Sequence, residues 1–286
     1  MNQNNFMKTI EEKIEEIKNE GYNLSISDMI SESIDLYKEH FGLIFGFFAL
    51  NVVISLVLSF VAKLIPYGIG SAFSSFIQMP MSLGILYVVH RIKNNRDFSF
   101  ENFFDGYKDF AKIIIINLIT FVILLPVLSP AIIFIVYKVY NGFDINSLND
   151  PALMADMMRS GEFLSLIAIT FLLSLGAIYV GFCLQFASML VLFLGVDYGN
   201  AFKWSFSVVN KNFFSVFGFN FLIGIVSLIG IFACFIGMFF TLPVVLVGKY
   251  ILFYHVFDVK NLDHPMRDKI HDYLEDDRPT TEEMFR

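Results

Sequence analysis

Lys249 stands inside an otherwise apolar run, "TLPVVLVGKYILFYHVF" (241–257), about nine residues before Asp258 at its polar end. At the α-helical rise that is roughly 13 Å of depth. An ionisable group within a span marks an ion or substrate path by default. Its candidate partners are the other polar residues of apolar runs, Asn51, Asn117, Gln185 and Asn220, or an anionic lipid headgroup drawn inward. A polar cavity of Lys249, Asn220, Gln185 and Asn51, with the lysine facing the bundle interior, is the arrangement that follows. The second reading is a shallower helix whose lysine amine snorkels to the interface.

Other reactive side chains offer less. His40, His90, His255, His264 and His271 fall on one side of the chain's spans, and "DHPMRDKIHD" sets His264 and His271 seven residues apart with Asp268 between them. A metal or phosphate site would need three or four convergent ligands, so these read as solvated interface histidines, and no metal or cofactor is expected. Cys183 and Cys234 lie inside apolar runs and read as small buried hydrophobes. No phosphate-binding glycine loop, zincin pair or nucleophile elbow occurs. The glycines at 218, 224, 230 and 237, and the pair in "GLIFG" (42–46), sit on apolar helices and read as close-packing positions. No catalytic constellation is visible, so an enzyme is not expected.

The elements that carry these residues follow from composition. Of 286 residues, 56% are hydrophobic and 16% charged, with a mean hydropathy of +0.64. A soluble domain carries about 25% charged residues. The class is therefore all-α, a polytopic membrane bundle; a β-barrel would show short alternating segments instead. Six spans are expected, near 41–62, 68–90, 112–140, 162–195, 213–236 and 238–258. Pro126 and Pro130 predict a kink or break in the third, and the fourth is long for one crossing.

Sixteen lysines and arginines fall on the side of the N-terminus, and only Lys63, Lys138 and Arg159 on the other. The positive-inside rule then puts both termini in the cytosol of a plasma (inner) membrane. The net charge of −7 resides mainly in the acidic ends, and no basic cluster points to nucleic acid. No secretory signal peptide is expected, so the first span directs insertion. Residues 1–24 read as a charged cytosolic helix stopped by Gly21, residues 25–260 as the membrane domain, and 261–286 as a cytosolic tail.

Three segments before outgoing spans are amphipathic. "SDMISESIDLYKEHF" stripes Met29, Ile30, Ile34 and Tyr37 behind a Ser27 cap; "FSFENFFDGYKDFAK" stripes Phe100, Phe103, Phe104, Tyr107 and Phe110 behind Ser99; "NAFKWSFSVVNK" stripes Ala201, Phe202, Phe206, Val208 and Val209. Each is expected to lie as a helix in the cytosolic interface, apolar face in lipid, with Trp204, Tyr37, Phe103 and Phe104 at the boundary. The first and last also look duplicated. At an offset of 172, Ser33 matches Ser205, Phe41 matches Phe213 and "FGF" at 45–47 matches "FGF" at 217–219. On the returning helices Pro80 and Tyr87 share the seven-residue spacing of Pro243 and Tyr250. A parallel internal duplication is expected.

"DYGNAFKWSFSVVNKNFF", "GFNFLIGIVSLIGIFACFIG" and "TLPVVLVGKYILFYHVF" resemble the C-terminal half of bacterial six-helix membrane proteins, a group that includes the membrane portion of glycerophosphoryl diester phosphodiesterases. The likeness is best over residues 180–260. It implies six helices and supplies no catalytic residues, because the hydrolase of such proteins is a separate soluble domain. The functions expected are a non-enzymatic membrane protein packing against lipids or partner proteins, a small transporter or lipid-handling protein with a cavity at Lys249, and, weakest, a membrane-embedded hydrolase. Membrane lipids are the expected partners and other membrane proteins are admissible; oligomeric state is open.

Overall fold

A computed structural model describes residues 9–65, 69–141, 152, 155, 158–159, 161–228 and 236–262. The described residues form helices and no strand. They are α1 (Ile10–Glu20), α2 (Ile26–Glu39), α3 (Phe41–Leu64), α4 (Ile69–Ser82), α5 (Gly84–Lys93), a 3-10 helix (Phe100–Tyr107), α6 (Phe110–Tyr140), α7 (Glu162–Cys183), α8 (Ala187–Leu194), α9 (Tyr198–Lys211), α10 (Phe213–Leu228) and α11 (Ile236–Val256).

Five stretches are long and apolar enough to cross a membrane: Phe41–Leu64, Ile69–Lys93, Phe110–Tyr140, Phe163–Leu194 and Phe239–Val256. A sixth is reached if α9 and α10, bent by 88° at Asn212, count as one span. The described part of α10 is 16 residues long, short of the ~20 a crossing needs. The rest of its expected span, 229–235, lies outside the described residues, as do Cys234, His264 and His271. Large apolar side chains stand exposed along these helices, among them Phe60, Leu64, Phe121 and Leu172. This architecture is compatible with a multi-pass membrane protein.

The chain divides into two compact units, Met1–Ile114 with Phe186–Arg286, and Ile115–Gln185. Of the kink or break expected at Pro126 and Pro130, the break is absent, since α6 runs unbroken from Phe110 to Tyr140. Pro130 has no N–H for the carbonyl four residues before it. That carbonyl belongs to Pro126, and the Ser129 hydroxyl donates to it at 2.7 Å. The long fourth run does break. It turns at Leu184–Phe186, and the following α8 is buried at every position but Ser188, as suits a helix apolar on all sides.

In the first unit, α1 is held by a reciprocal Thr9–Glu12 capping box and ends at Gly21, whose φ of 77° suits glycine. It packs on α9 through the buried Ile14 and Ile17. The Lys211 amine caps its C-terminal end, donating to the Lys18 carbonyl at 2.7 Å. The three amphipathic segments are helical, with two corrections. The cap of α2 is Ser25, not Ser27. The 98–110 segment is a 3-10 helix over Phe100–Tyr107. Their apolar stripes are covered by protein in part: Phe100, Tyr107 and Phe110 are exposed, and Ile30, Ile34 and Phe206 are half-buried. Met29, Leu36 and Tyr37 are buried, Phe103 is fully buried against Phe47, and Ala201, Phe202, Val208 and Val209 are buried; Phe104 and Trp204 are half-buried.

The duplication is visible in the elements. α2 and α9 each have 14 residues, and their bounds differ by 172 at both ends (26 to 198, 39 to 211). α3 and α10 begin at the same offset. Ser33 and Ser205 are both fully buried, as are Ile44 and Val216, and Phe47 and Phe219. On the returning arms α5 and α11 end 163 apart (93 and 256).

Candidate functional site

Of the residues expected around a polar cavity, Lys249 and Asn220 do not line the cavity that Asn51 lines. Lys249 is exposed, between the buried Gly248 and Tyr250. Gly248 is the reason: a Cβ there would overlap Ile223, so α11 turns its glycine face to α10 and its lysine outward. Lys249 is seven residues from the end of α11, about 10 Å, which its flexible stem spans in part. Asn220 donates to the Val216 carbonyl of its own helix at 2.8 Å. Gln185 and Asn117 belong to the second unit. Of the glycines expected to pack closely, Gly218 has Ile26 3.4 Å from where a Cβ would stand, and Gly230 lies outside the described residues. A Cβ would meet nothing at Gly42, Gly46 or Gly224, whereas at Gly84 it would overlap the Phe103 carbonyl and approach the Phe47 ring to 2.6 Å.

Asn51 alone lines a cavity, of about 340 Å³, between α3, the α4–α5 break and α11. Its walls are Phe47, Phe48, Leu56, Ile85 and Leu246, and its polar lining is Asn51, Ser55, Ser59 and Ser82. Asn51, Ser55 and Ser59 fall at intervals of four and so share one face of α3. Asn51 donates to the Met81 carbonyl at 3.4 Å. The Ser55 hydroxyl lies 3.1 Å from Gln78 Oε1 and 3.4 Å from Asn51 Oδ1, and having one hydrogen it donates to one of them at a time. Farther along, the Ser74 hydroxyl lies 2.9 Å from the Gly70 carbonyl of its own helix and 3.1 Å from the Leu58 carbonyl. Leu56, Ser59 and Ser82 are exposed, so the cavity is an open groove. Asn51 stands ten residues into α3 (41 to 51), about 15 Å along it, half the ~30 Å hydrocarbon thickness.

No protein-family model, curated protein or solved structure matches this chain. Function is read from the geometry.

At the end of the returning helices lies a second polar group. His255 Nε2 donates to Glu32 Oε2 at 2.6 Å, Lys93 pairs with the other Glu32 oxygen, and the Lys93 amine sits 4.5 Å from the centre of the Tyr254 ring. The His255 hydrogen bond, with Lys93 beside it, holds the Glu32 carboxyl down at about 2 against its partial burial, which acts the other way. This ties α2 to the ends of α5 and α11. Beneath it His90 stacks on Phe193 at 4.7 Å and shares a 2.6 Å hydrogen bond with the Tyr250 hydroxyl, and Tyr87 donates to Asp109 Oδ2 at 2.8 Å. His90 is thus a core residue rather than a solvated one, and His40 meets Phe98 edge-on. Among the described residues no three His, Cys, Asp or Glu side chains group as metal ligands do. Every partner here belongs to an ion pair, a hydrogen bond or an aromatic stack, which is the chemistry of a clasp.

The groove escaped sequence reading because its signal is weak. Asn51, Ser55 and Ser59 are a polar i, i+4, i+8 stripe in a 24-residue apolar helix, with "SSFIQMPMS" opposite. That pattern was there to be found, but a lone lysine is the louder feature.

Proposed function

We propose that this chain is a non-enzymatic, multi-pass protein of a plasma (inner) membrane, with both termini cytosolic, that binds a membrane lipid in the α3–α4 groove. The groove carries this reading: apolar walls for an acyl chain meet an uncharged amide and hydroxyl strip that begins about 15 Å along α3. Lining of that kind, a few polar groups among apolar ones, is what small-molecule sites have. Its volume equals about eleven waters at about 30 Å³ each, room for part of one lipid and not for a two-chain molecule. The orientation rests on the sixteen-to-three distribution of basic residues, and reporter fusions after Lys260 should read cytosolic. A periplasmic signal there would refute it.

The groove, rather than a cavity around the exposed Lys249, is the basis of this reading. The test separates the two placements. Native mass spectrometry of the detergent-extracted chain should show retained lipid in the wild type and in Lys249→Met. It should be lost in Leu246→Trp, whose indole fills the groove. Retention in Leu246→Trp equal to wild type, or a wild type without lipid, would sink the proposal.

A further inference from the structure

We infer that the groove takes a glycerolipid whose polar part is uncharged, a glycerol ester with a free hydroxyl where a phospholipid carries phosphate, and that only the first repeat has kept this site. The inference rests on the groove reading above and adds the class of ligand.

The first support is the chemistry of the lining. It holds no Lys, Arg, Asp or Glu. A phosphate at this depth would enter without a counter-charge, which is far costlier than burying a hydroxyl that finds a partner. The strip is instead matched to neutral groups. With Ser55 donating to Gln78, the nearer acceptor, Asn51 Oδ1 is left to accept from a ligand hydroxyl. The second Asn51 N–H is left to donate to an ester carbonyl.

The second support is the other half of the duplication. At the 172 offset Asn51 becomes Ile223 and Ser55 becomes Ser227; at the 163 offset Gln78 becomes Thr241 and Ile85 becomes Gly248. The framework is retained, since Thr241 donates to the Ser227 carbonyl at 2.6 Å where Ser55 meets Gln78 in the first repeat. The space is not. Ile223 is buried and fills the room that Gly248 leaves. The Ser227 hydroxyl, equivalent to that of Ser55, is buried and bonds no described group. Two copies of one scaffold therefore differ at this position: the first lines an open groove with Asn51, and the second has the buried Ile223 packed on Gly248. A polar strip that served packing alone would have no reason to coincide with the open copy.

The test uses the full chain in phosphatidylcholine vesicles and two photoactivatable probes with the same diazirine-bearing acyl chains, a diacylglycerol and a phosphatidic acid, differing only in the phosphate. Cross-links are mapped by mass spectrometry. The diacylglycerol should label residues 47–59 and 81–85 about tenfold more than the phosphatidic acid. Asn51→Ile, which installs the residue the second repeat carries, should reduce that labelling about tenfold, equivalent to about 1.4 kcal/mol and on the scale of a hydrogen bond in a dry site. Ser55→Ala, a gentler change, should lower it in the same direction, with the melting temperature of both variants at or above wild type. Equal labelling by both probes would overturn the ligand class and leave the groove standing. Labelling by neither would overturn the groove reading as well. Diacylglycerol labelling untouched in both variants would show a packing strip and overturn the inference.

Discussion

Phe103 and Phe104 are neighbours that an interfacial helix would treat alike, and the fold treats differently. Phe103 is fully buried, stacked on Phe47 at 4.4 Å with the rings 13° from parallel. Its carbonyl lies so close to Gly84 that a Cβ there would overlap it. Phe104 is half-buried and meets Phe47 only edge-on at 5.7 Å. Truncating a buried Phe to Ala costs about 3–5 kcal/mol, including the cavity left behind. Phe104→Ala, with about half of the ring to lose and room to relax, should cost roughly half as much. The difference, about 2 kcal/mol, corresponds to roughly 4–8 °C in melting temperature for chains of about this size. Thermal unfolding in detergent, followed by tryptophan fluorescence of Trp204, would measure it. Phe103→Ala should melt well below Phe104→Ala, and Phe103→Asp lower still, because its carboxylate would be buried without a partner. Equal, small shifts for the two alanine variants would mean that both rings face lipid and that the packing of the 3-10 helix on α5 is wrong.

Two further outcomes follow from particular bonds. The Glu32 carboxyl titrates near 2 in the folded protein against an ordinary 4.5, so its depressed value makes a contribution fully present above about 4.5 and lost as pH falls toward 2. The stability gap between wild type and Glu32→Gln should therefore close as pH falls from about 4.5 to 2; a gap that widens over that range contradicts the clasp. In α6, Ser129→Ala should destabilise by about 1 kcal/mol, because the Pro126 carbonyl loses its substitute donor. The same change should be silent in a Pro130→Ala background, where the restored N–H reaches that carbonyl, and a double-mutant cycle without coupling would refute the compensation.

Local pattern determined much of this protein by itself. Apolar run length marked the long helices, and Gly21 marked the end of α1, because these depend on the chemistry of one stretch of chain. The internal repeat was legible as well, since a shared offset of 172 needs no knowledge of packing. What tertiary structure decided was the partner of each face. An amphipathic stripe looks the same whether lipid or protein covers it, and only the fold shows that Phe103 meets Phe47 and that α1 lies on α9. The continuity of α6 was hidden for a similar reason: the proline is visible in sequence, but the rotamer that brings the Ser129 hydroxyl to the freed carbonyl is not. Lys249 and Asn51 make the contrast sharpest. A charge in an apolar run announces itself, yet its direction is set by which side of α11 is small enough to approach α10, and Gly248 is that side. Asn51 is quieter in sequence and stands at the groove because α4 breaks at Leu83 opposite it, a juxtaposition of residues some thirty apart that no local spacing encodes.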